Sequence, residues 1–472
     1  MSDVRHLTLG GTRPLDGSGE TRGFELPTDH LLTHSIVVGM TGSGKTGLLM
    51  VLVEEALRSR VPVIMIDVKG DLPNLLLTFP NLSPDEFAPW LDGGLLARSG
   101  QTPAEAAQTE AWRWQEKLSE WQLGPSAVAE LRSIMAPRVL TPGMLAGEPL
   151  NILSSLERPS TEWTNDIEAA RESLSASISL LLRLVGRDPD PTRSRDHVVL
   201  SVFAERRLAL GMPADVASLL EDVRDPPVDR LGALPTDEFL PKRDRLALAT
   251  SLNTLLASPT FESWRSGTPL DVHEWLAPRE DGRTPAVIVS VAHLDDDERS
   301  LVLGIVLDQL LAWARSLSGT HHLRALLVFD EVYGFIPPHP ANPPTKRPLV
   351  TLMKQARGFG LGVVLATQNP MDLDYRALSN AGLWCVGRLS TDADRERVVD
   401  AMTGSGTGVD AGALADVLKV LAPRWFVLRN VHQDPSMRLL QSRTTLSWLR
   451  GPMTRRDLKR LVSPTTVEDE PR

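Results

Sequence analysis

With 472 residues, 42% of them hydrophobic and 23% charged, the chain has the composition of a folded globular protein and is too long for one compact core. A net charge of −10 excludes a surface broadly coated with basic groups and leaves only local contact with a polyanion. The single cysteine, Cys385, excludes an internal disulfide and a thiolate zinc cluster, and in L-W-C-V-G it reads as a small buried side chain.

Residues 1–30, rich in Gly, Thr, Asp and Arg, predict an N-terminal arm or a short edge hairpin. From Leu31 the pattern changes. S-I-V-V-G is a buried strand, a loop and a helix follow, and V-P-V-I-M-I-D is a second strand ending in an acid, so residues 31–82 read as a strand, helix, strand unit of a parallel sheet. Residues 83–284 predict a mostly helical insertion broken by prolines. One helix spans about 102–121, opening with T-P-A-E, where Thr caps, Pro fits the first turn and Glu closes a capping box. Its Trp114, Leu118 and Trp121 share one face and read as core. Ile167, Ala170, Leu174, Ile178, Leu181 and Val185 form the stripe of a second helix over 166–185. Between them, R-V-L-T-P-G-M-L-A-G-E-P-L-N-I-L predicts a short core strand near 138–153. Alternation returns at Pro285, with strands at 286–291, 325–330, 362–367, 384–388 and 425–429 and helices at 298–316, 349–357 and 392–402. Residues 285–450 thus form the second half of a split core. Residues 451–472 read as a C-terminal tail, Pro-, Thr- and acid-rich from about Val462.

The chemistry concentrates in a few segments. G-M-T-G-S-G-K-T, from Gly39 to Thr46, fits the Walker A pattern and lies between a strand and a helix, the context that gives the pattern meaning. Gly39, Thr41, Gly42, Ser43, Gly44, Lys45, Thr46 and Gly47 are the candidate nucleotide-binding residues. Their backbone N–H groups can curl around phosphates and the helix N-terminus adds partial positive charge. Lys45 would reach the β- and γ-phosphates of ATP, and Thr46 would ligate Mg²⁺. L-L-V-F-D-E delivers Asp330 to the metal through water and Glu331 as the general base for the attacking water. Gln368, ending G-V-V-L-A-T-Q, is a candidate polar sensor. In D-V-K-G-D, Asp67 is a candidate helper of the metal site and Lys69 a contact to a neighbour or to nucleic acid, while a turn built by Asp side chains and Gly70 explains the same letters. Lys346, Arg347, Lys354 and Arg357 form an acid-free stretch that faces a polyanion, a neighbouring subunit's phosphates or solvent. Arg388 is the first candidate for an arginine finger reaching an adjacent subunit, ahead of Arg395 and Arg397. The acids from Asp295 to Glu298 read as a helix cap.

In this order, G-M-T-G-S-G-K-T, D-V-K-G-D, V-F-D-E, K-Q-A-R-G-F-G-L-G and A-T-Q-N-P resemble the HerA/FtsK superfamily of ring ATPases, and its HerA-like branch in particular. The resemblance covers roughly residues 31–74 and 285–450. It implies a RecA-like α/β fold, here a mostly parallel sheet with a large, mostly helical insertion. It also implies hexameric rings with ATP sites between subunits, movement along double-stranded DNA, and a nuclease as a frequent partner. HerA itself carries a β-barrel before its phosphate loop, whereas thirty-eight residues precede Gly39 here, so the insertion either replaces the barrel as an interaction surface or sits on the ring's outer face.

Three readings of function follow. The first is an ATP-driven translocase or helicase on double-stranded DNA. The second is an ATP-gated oligomeric platform that assembles or regulates a nuclease or other effector, and the third, lower in rank, is a secretion or conjugation ATPase. No apolar stretch approaches membrane-spanning length, and the expected location is the cytoplasm.

Overall fold

The computed structural model describes residues 5–92, 100–157, 167–403 and 410–462. Aliphatic runs such as V-I-M-I-D and A-L-L-V-F-D are buried along their whole length rather than at alternate positions. Strands of that kind need cover on both faces, which a parallel sheet flanked by helices provides. Thirteen strands form one sheet: β1 (His6–Arg13), β2 (Arg22–Pro27), β3 (Ser35–Val38), β4 (Val63–Asp67), β5 (Met135–Pro142), β6 (Glu148–Asn151), β7 (Thr268–Pro269), β8 (Thr284–Ser290), β9 (Ala325–Asp330), β10 (Leu361–Thr367), β11 (Leu383–Val386), β12 (Trp425–Asn430) and β13 (Met437–Ser442). Their order is β2-β1-β13-β12-β11-β3-β10-β9-β4-β8-β5-β6-β7. From β11 to β7 every neighbouring pair is parallel. Antiparallel pairing extends the other edge through β12, β13 and the hairpin of β1 and β2.

Helix α1 (Lys45–Arg58) follows the loop after β3, and its apolar residues are buried beneath one sheet face. The segment between β4 and β8 supplies α2 (Pro103–Ser119), α3 (Pro125–Ile134), α4 (Ile167–Leu184), α5 (Arg195–Ala209), α6 (Val216–Arg224) and α7 (Lys242–Ala257), together with three strands of the sheet. Its α4 packs on α8 (Asp296–Ser316) in the opposite core layer. Thr102 and Glu105 close the capping box of α2, and Asp295 and Glu298 that of α8. The second half adds α9 (Lys346–Gln355), α10 (Asp392–Thr403) and α11 (Ala411–Val420). Asp166, where the second insertion helix was expected to begin, lies outside the described residues.

The C-terminal region departs from the sequence expectation. Residues 455–462 form helix α12 (Arg455–Val462), with Leu458 buried and Thr454 capped by Asp457, where a tail was expected from 451. Residues 463–472 of that expected tail lie outside the described residues. Among the described residues no helix is long and apolar enough to cross a membrane.

A buried ionic cluster joins this region to α1. Arg443, just past β13, donates to Glu54 Oε2 and Glu55 Oε1, each at 2.9 Å, and through Nε to the Thr8 carbonyl at 3.1 Å. Glu54 also accepts from the backbone N–H groups of Leu446 and Ser447. Removing one partner of such a pair strands the other charges in the interior. Arg443→Met is therefore expected to lower stability to urea by about 3–5 kcal/mol. Adding Glu54→Gln and Glu55→Gln should recover part of the loss, and a loss of under about 1 kcal/mol for the single variant would refute the clamp.

Candidate active site at the carboxyl edge of the sheet

Strand order brings the candidate residues together. β3 carries the glycine loop and β9 ends in Asp330, with β10 between them ending beside Gln368. β4 lies on the far side of β9, with Asp67 level with Asp330. In parallel strands all these ends point the same way, so the loop, Gln368, the acid pair and the turn after β4 share one edge, where open α/β sheets bind ligands.

The loop between β3 and α1 is tied at its start by Gly39 N–H to the Thr367 carbonyl at 3.3 Å and Met40 N–H to the Arg388 carbonyl at 3.0 Å. Gly44 caps α1 with a φ of 96°, which favours glycine, and a Cβ there would stand 3.0 Å from Arg424. Arg424, which the sequence reading did not single out, also donates its backbone N–H to the Ser43 carbonyl at 2.8 Å. Lys45 Nζ folds back onto the Gly39 carbonyl at 2.5 Å. Burial lowers its pKa to about 8, opposed by Glu331 and Asp330. Thr46 and Gly47 are half-buried in the first turn of the helix.

Asp330 is buried, 5% exposed, and burial raises its pKa to about 6. Lys69 and Lys45 pull it down, while Glu331 and Asp67 add to the rise. Glu331, one residue past the end of β9, does not project by strand alternation. Its backbone is left-handed, with a φ of 60°, an uncommon conformation for a residue with a Cβ. The turn brings its carboxylate onto Lys69 Nζ at 2.6 Å and onto the Gln368 side-chain and backbone donors at 2.8 and 3.2 Å. Burial pushes the Glu331 carboxyl up, and the Lys69 and Gln368 donors outweigh it, leaving it below the usual carboxylate range. Gln368 Oε1 in turn accepts from Thr41 Oγ1 at 2.7 Å, so one hydrogen-bonded chain runs from the loop to Glu331.

The remaining candidates separate. Asp67 is wholly buried, with Oδ1 accepting from Gly70 and Leu72 N–H and Oδ2 from Ser290 Oγ, so it builds the turn rather than facing the site. Burial, against those bonds, raises its pKa to about 6. Lys69 meets Glu331, not an external partner as the sequence reading had it. Lys346 is buried and ion-paired with Asp374 at 3.1 Å, and Arg347 pairs with Glu172 of the insertion, so half of the basic stretch is committed within the chain. Lys354 and Arg357 are exposed. Arg395 is buried, bound to the Leu389 carbonyl and paired with Asp392, which leaves it no reach as a finger. Arg397 donates to the Leu373 carbonyl at 3.1 Å. Arg388 is exposed, but its Nε stands 3.3 Å from Met40 Sδ of the chain's own loop, and reaching a neighbour requires it to swing off that contact. Cys385 is buried, which pushes its thiol up to about 12 and makes it inert.

The residues fit a magnesium nucleotide. Ser43 Oγ is buried in the loop without a hydrogen-bond partner, and a Cβ at Gly39 would come within 2.6 Å of it. Among the described residues no group of three or more His, Cys, Asp or Glu can hold a metal alone. One carboxylate and one hydroxyl beside a phosphate cradle are the donor set of an ion shared with phosphates. Between the ordinary carboxyl value of 3.8 and about 6, the folded chain retains a proton on Asp330 that the unfolded chain has lost. Its charge therefore weighs against folding increasingly as pH rises through that window. In metal-free buffer, Asp330→Asn is expected to be more stable than wild type by about 1–3 kcal/mol at pH 7.5, the gain fading below pH 6 and vanishing near pH 4. Thermal melts across that range check it, and superimposable curves for the two proteins would contradict it.

A family model described as "Helicase HerA, central domain" matches residues 24–201. No curated protein matches by sequence. Among solved structures, VirB4 of Thermoanaerobacter pseudethanolicus is 14% identical, with 94% of this chain and 97% of that one covered and a TM-score of 0.50. The bacterial conjugative coupling protein TrwBdeltaN70 is likewise 14% identical, with 97% and 98% covered and a TM-score of 0.50. At that identity they are similar in fold, a large, mostly parallel sheet of the P-loop type between helices. The family match includes the phosphate loop and the strand after it, on which the geometry above is built, so over residues 24–201 the chain is similar to the HerA central domain.

Proposed function

We propose that the chain hydrolyses ATP and works as a HerA-type ring motor, a hexamer as the resemblance implies, that translocates on or unwinds double-stranded DNA.

 The observation that carries this reading is the convergence of Lys45, Thr46, Asp330, Glu331 and Gln368 on one sheet edge, although they come from segments hundreds of residues apart. The HerA family match supports the DNA part.

In this reading the loop N–H groups from Gly39 to Gly47 bind the phosphates, and Lys45 leaves the Gly39 carbonyl for them. Thr46 and Asp330 would hold Mg²⁺, which when bound neutralises charge on the phosphate oxygens. Glu331 orients a water and takes its proton as the water oxygen bonds to the γ-phosphorus and the bond to the bridging oxygen breaks, with ADP as the leaving group. Gln368 joins the loop residue Thr41 to Glu331, which fits a sensor that links the nucleotide to the base. Arg388, exposed beside the loop, is the assigned finger, and Lys354 and Arg357 are the free cations of α9 and its end that we assign to a polyanion.

Glu331→Gln is expected to bind ATP and to lose turnover by about a hundredfold or more, the usual scale for a general base. Linear duplex DNA at low salt should raise wild-type hydrolysis, and more salt should erase the stimulation. A rate indifferent to DNA would remove the translocase from this reading, and a Glu331→Gln protein that still turns over would remove the base.

A further inference from the structure

Glu331 has both carboxylate oxygens engaged by the chain itself. Oε2 accepts from Lys69 Nζ at 2.6 Å and from Gln368 Nε2 at 2.8 Å, and Oε1 accepts from the Gln368 backbone N–H at 3.2 Å. The shortest of these is charge-assisted, and such bonds are the strong ones. Held this way, three of the carboxylate's four lone pairs point at protein donors.

The lysine is no loose surface side chain that happens to lie nearby. It sits in the turn after β4, where Asp67 accepts from Gly70 and Leu72 N–H on one side. On the other side Met453 N–H donates to the Gly70 carbonyl at 2.9 Å, and Asn74 Nδ2 bridges the Asp71 and Gly451 carbonyls. The C-terminal segment that leads into α12 therefore braces the turn that presents Lys69. At the other end of the pair, the left-handed backbone of Glu331 aims its side chain toward β4. The ion pair is thus specified by the backbone on both sides.

We propose that Lys69 is a positioning residue that latches Glu331: the pair holds the carboxylate away from water in a resting chain, and each turnover requires it to part. This rests on the reading of Glu331 as the proton acceptor. Lys69 then governs how often the base is available and leaves nucleotide affinity to the loop. Because the turn is braced by residues 451–453, movement of the C-terminal segment is the structural route by which the latch opens.

Steady-state hydrolysis of Mg·ATP by the full chain without DNA tests it. Lys69→Met is expected to raise kcat about fivefold, the scale of a partly exposed ion pair, with KM changed less than about twofold. Lys69→Arg, which can re-form the pair, should return kcat toward the wild-type rate, and Lys69→Gln should fall between. Melting temperatures report whether each variant is folded, and the side chain of Lys69 is 39% exposed, so its replacement opens no cavity. A fall in kcat for folded Lys69→Met and Lys69→Gln, or a raised KM at constant kcat that makes the lysine a phosphate ligand, overturns the latch while leaving Glu331 as the base. Turnover that survives in Glu331→Gln overturns the base itself, and the latch with it.

Discussion

Two lysines and two carboxylates meet at one end of the sheet with little water to spread their charge. Lys45, Lys69, Asp330 and Glu331 sum to zero: the lysines pull Asp330 down against its burial, and the acids pull Lys45 up against its own. Changing one charge alters the balance for the other three. Asp330 and Lys45 are the members whose charge resists folding, because for both desolvation outweighs the nearby opposite charges. The apolar layers on both faces of the sheet and the Arg443 clamp behind α1 offset that penalty.

Which charge meets which follows from the order β3-β10-β9-β4. Neighbouring strands lie about 4.8 Å apart, so the loop strand and the Asp330 strand are separated by about 10 Å, two strand spacings, with the end of β10 between them. Gln368 spans that gap, accepting from Thr41 on one side and donating to Glu331 on the other. β4, adjacent to β9, brings Lys69 within bonding distance of Glu331 on the opposite side. The same four strands in another order would contain the same motifs and make different pairs.

This explains what the sequence disclosed and what it did not. Strand by strand, β9 was legible in A-L-L-V-F-D and the loop in G-M-T-G-S-G-K-T, since continuous apolar runs and glycine spacing are local signals. The capping boxes of α2 and α8 were legible for the same reason. The Lys69–Glu331 pair is separated by 262 positions and depends on strand order, which no local pattern encodes. Neither was the left-handed turn at Glu331 encoded by its side chain. Lys346 was misread because a lysine in a basic run looks solvated, whereas Asp374 lies across the fold to pair with it. The tail was placed too early because R-R-D-L-K-R-L-V has few apolar residues, and Leu458 alone among them is deeply buried.

The hydrogen-bonded chain from loop to base also has a direction. Only the amide nitrogen of Gln368 can donate to Glu331, so its oxygen is left to accept from Thr41. A glutamate at this position would face one carboxylate with another, and a residue without the amide would leave Thr41 and Glu331 unconnected. The amide is fixed further because the Gln368 backbone N–H binds the other Glu331 oxygen, so side chain and main chain hold the same carboxylate. A shift of Thr41 as the loop closes on phosphates therefore acts on the carboxylate through one rigid residue. On the other side Lys69 draws that carboxylate toward β4. Glu331 stands between two opposed pulls, one from the strand beside the loop and one from the strand beyond it.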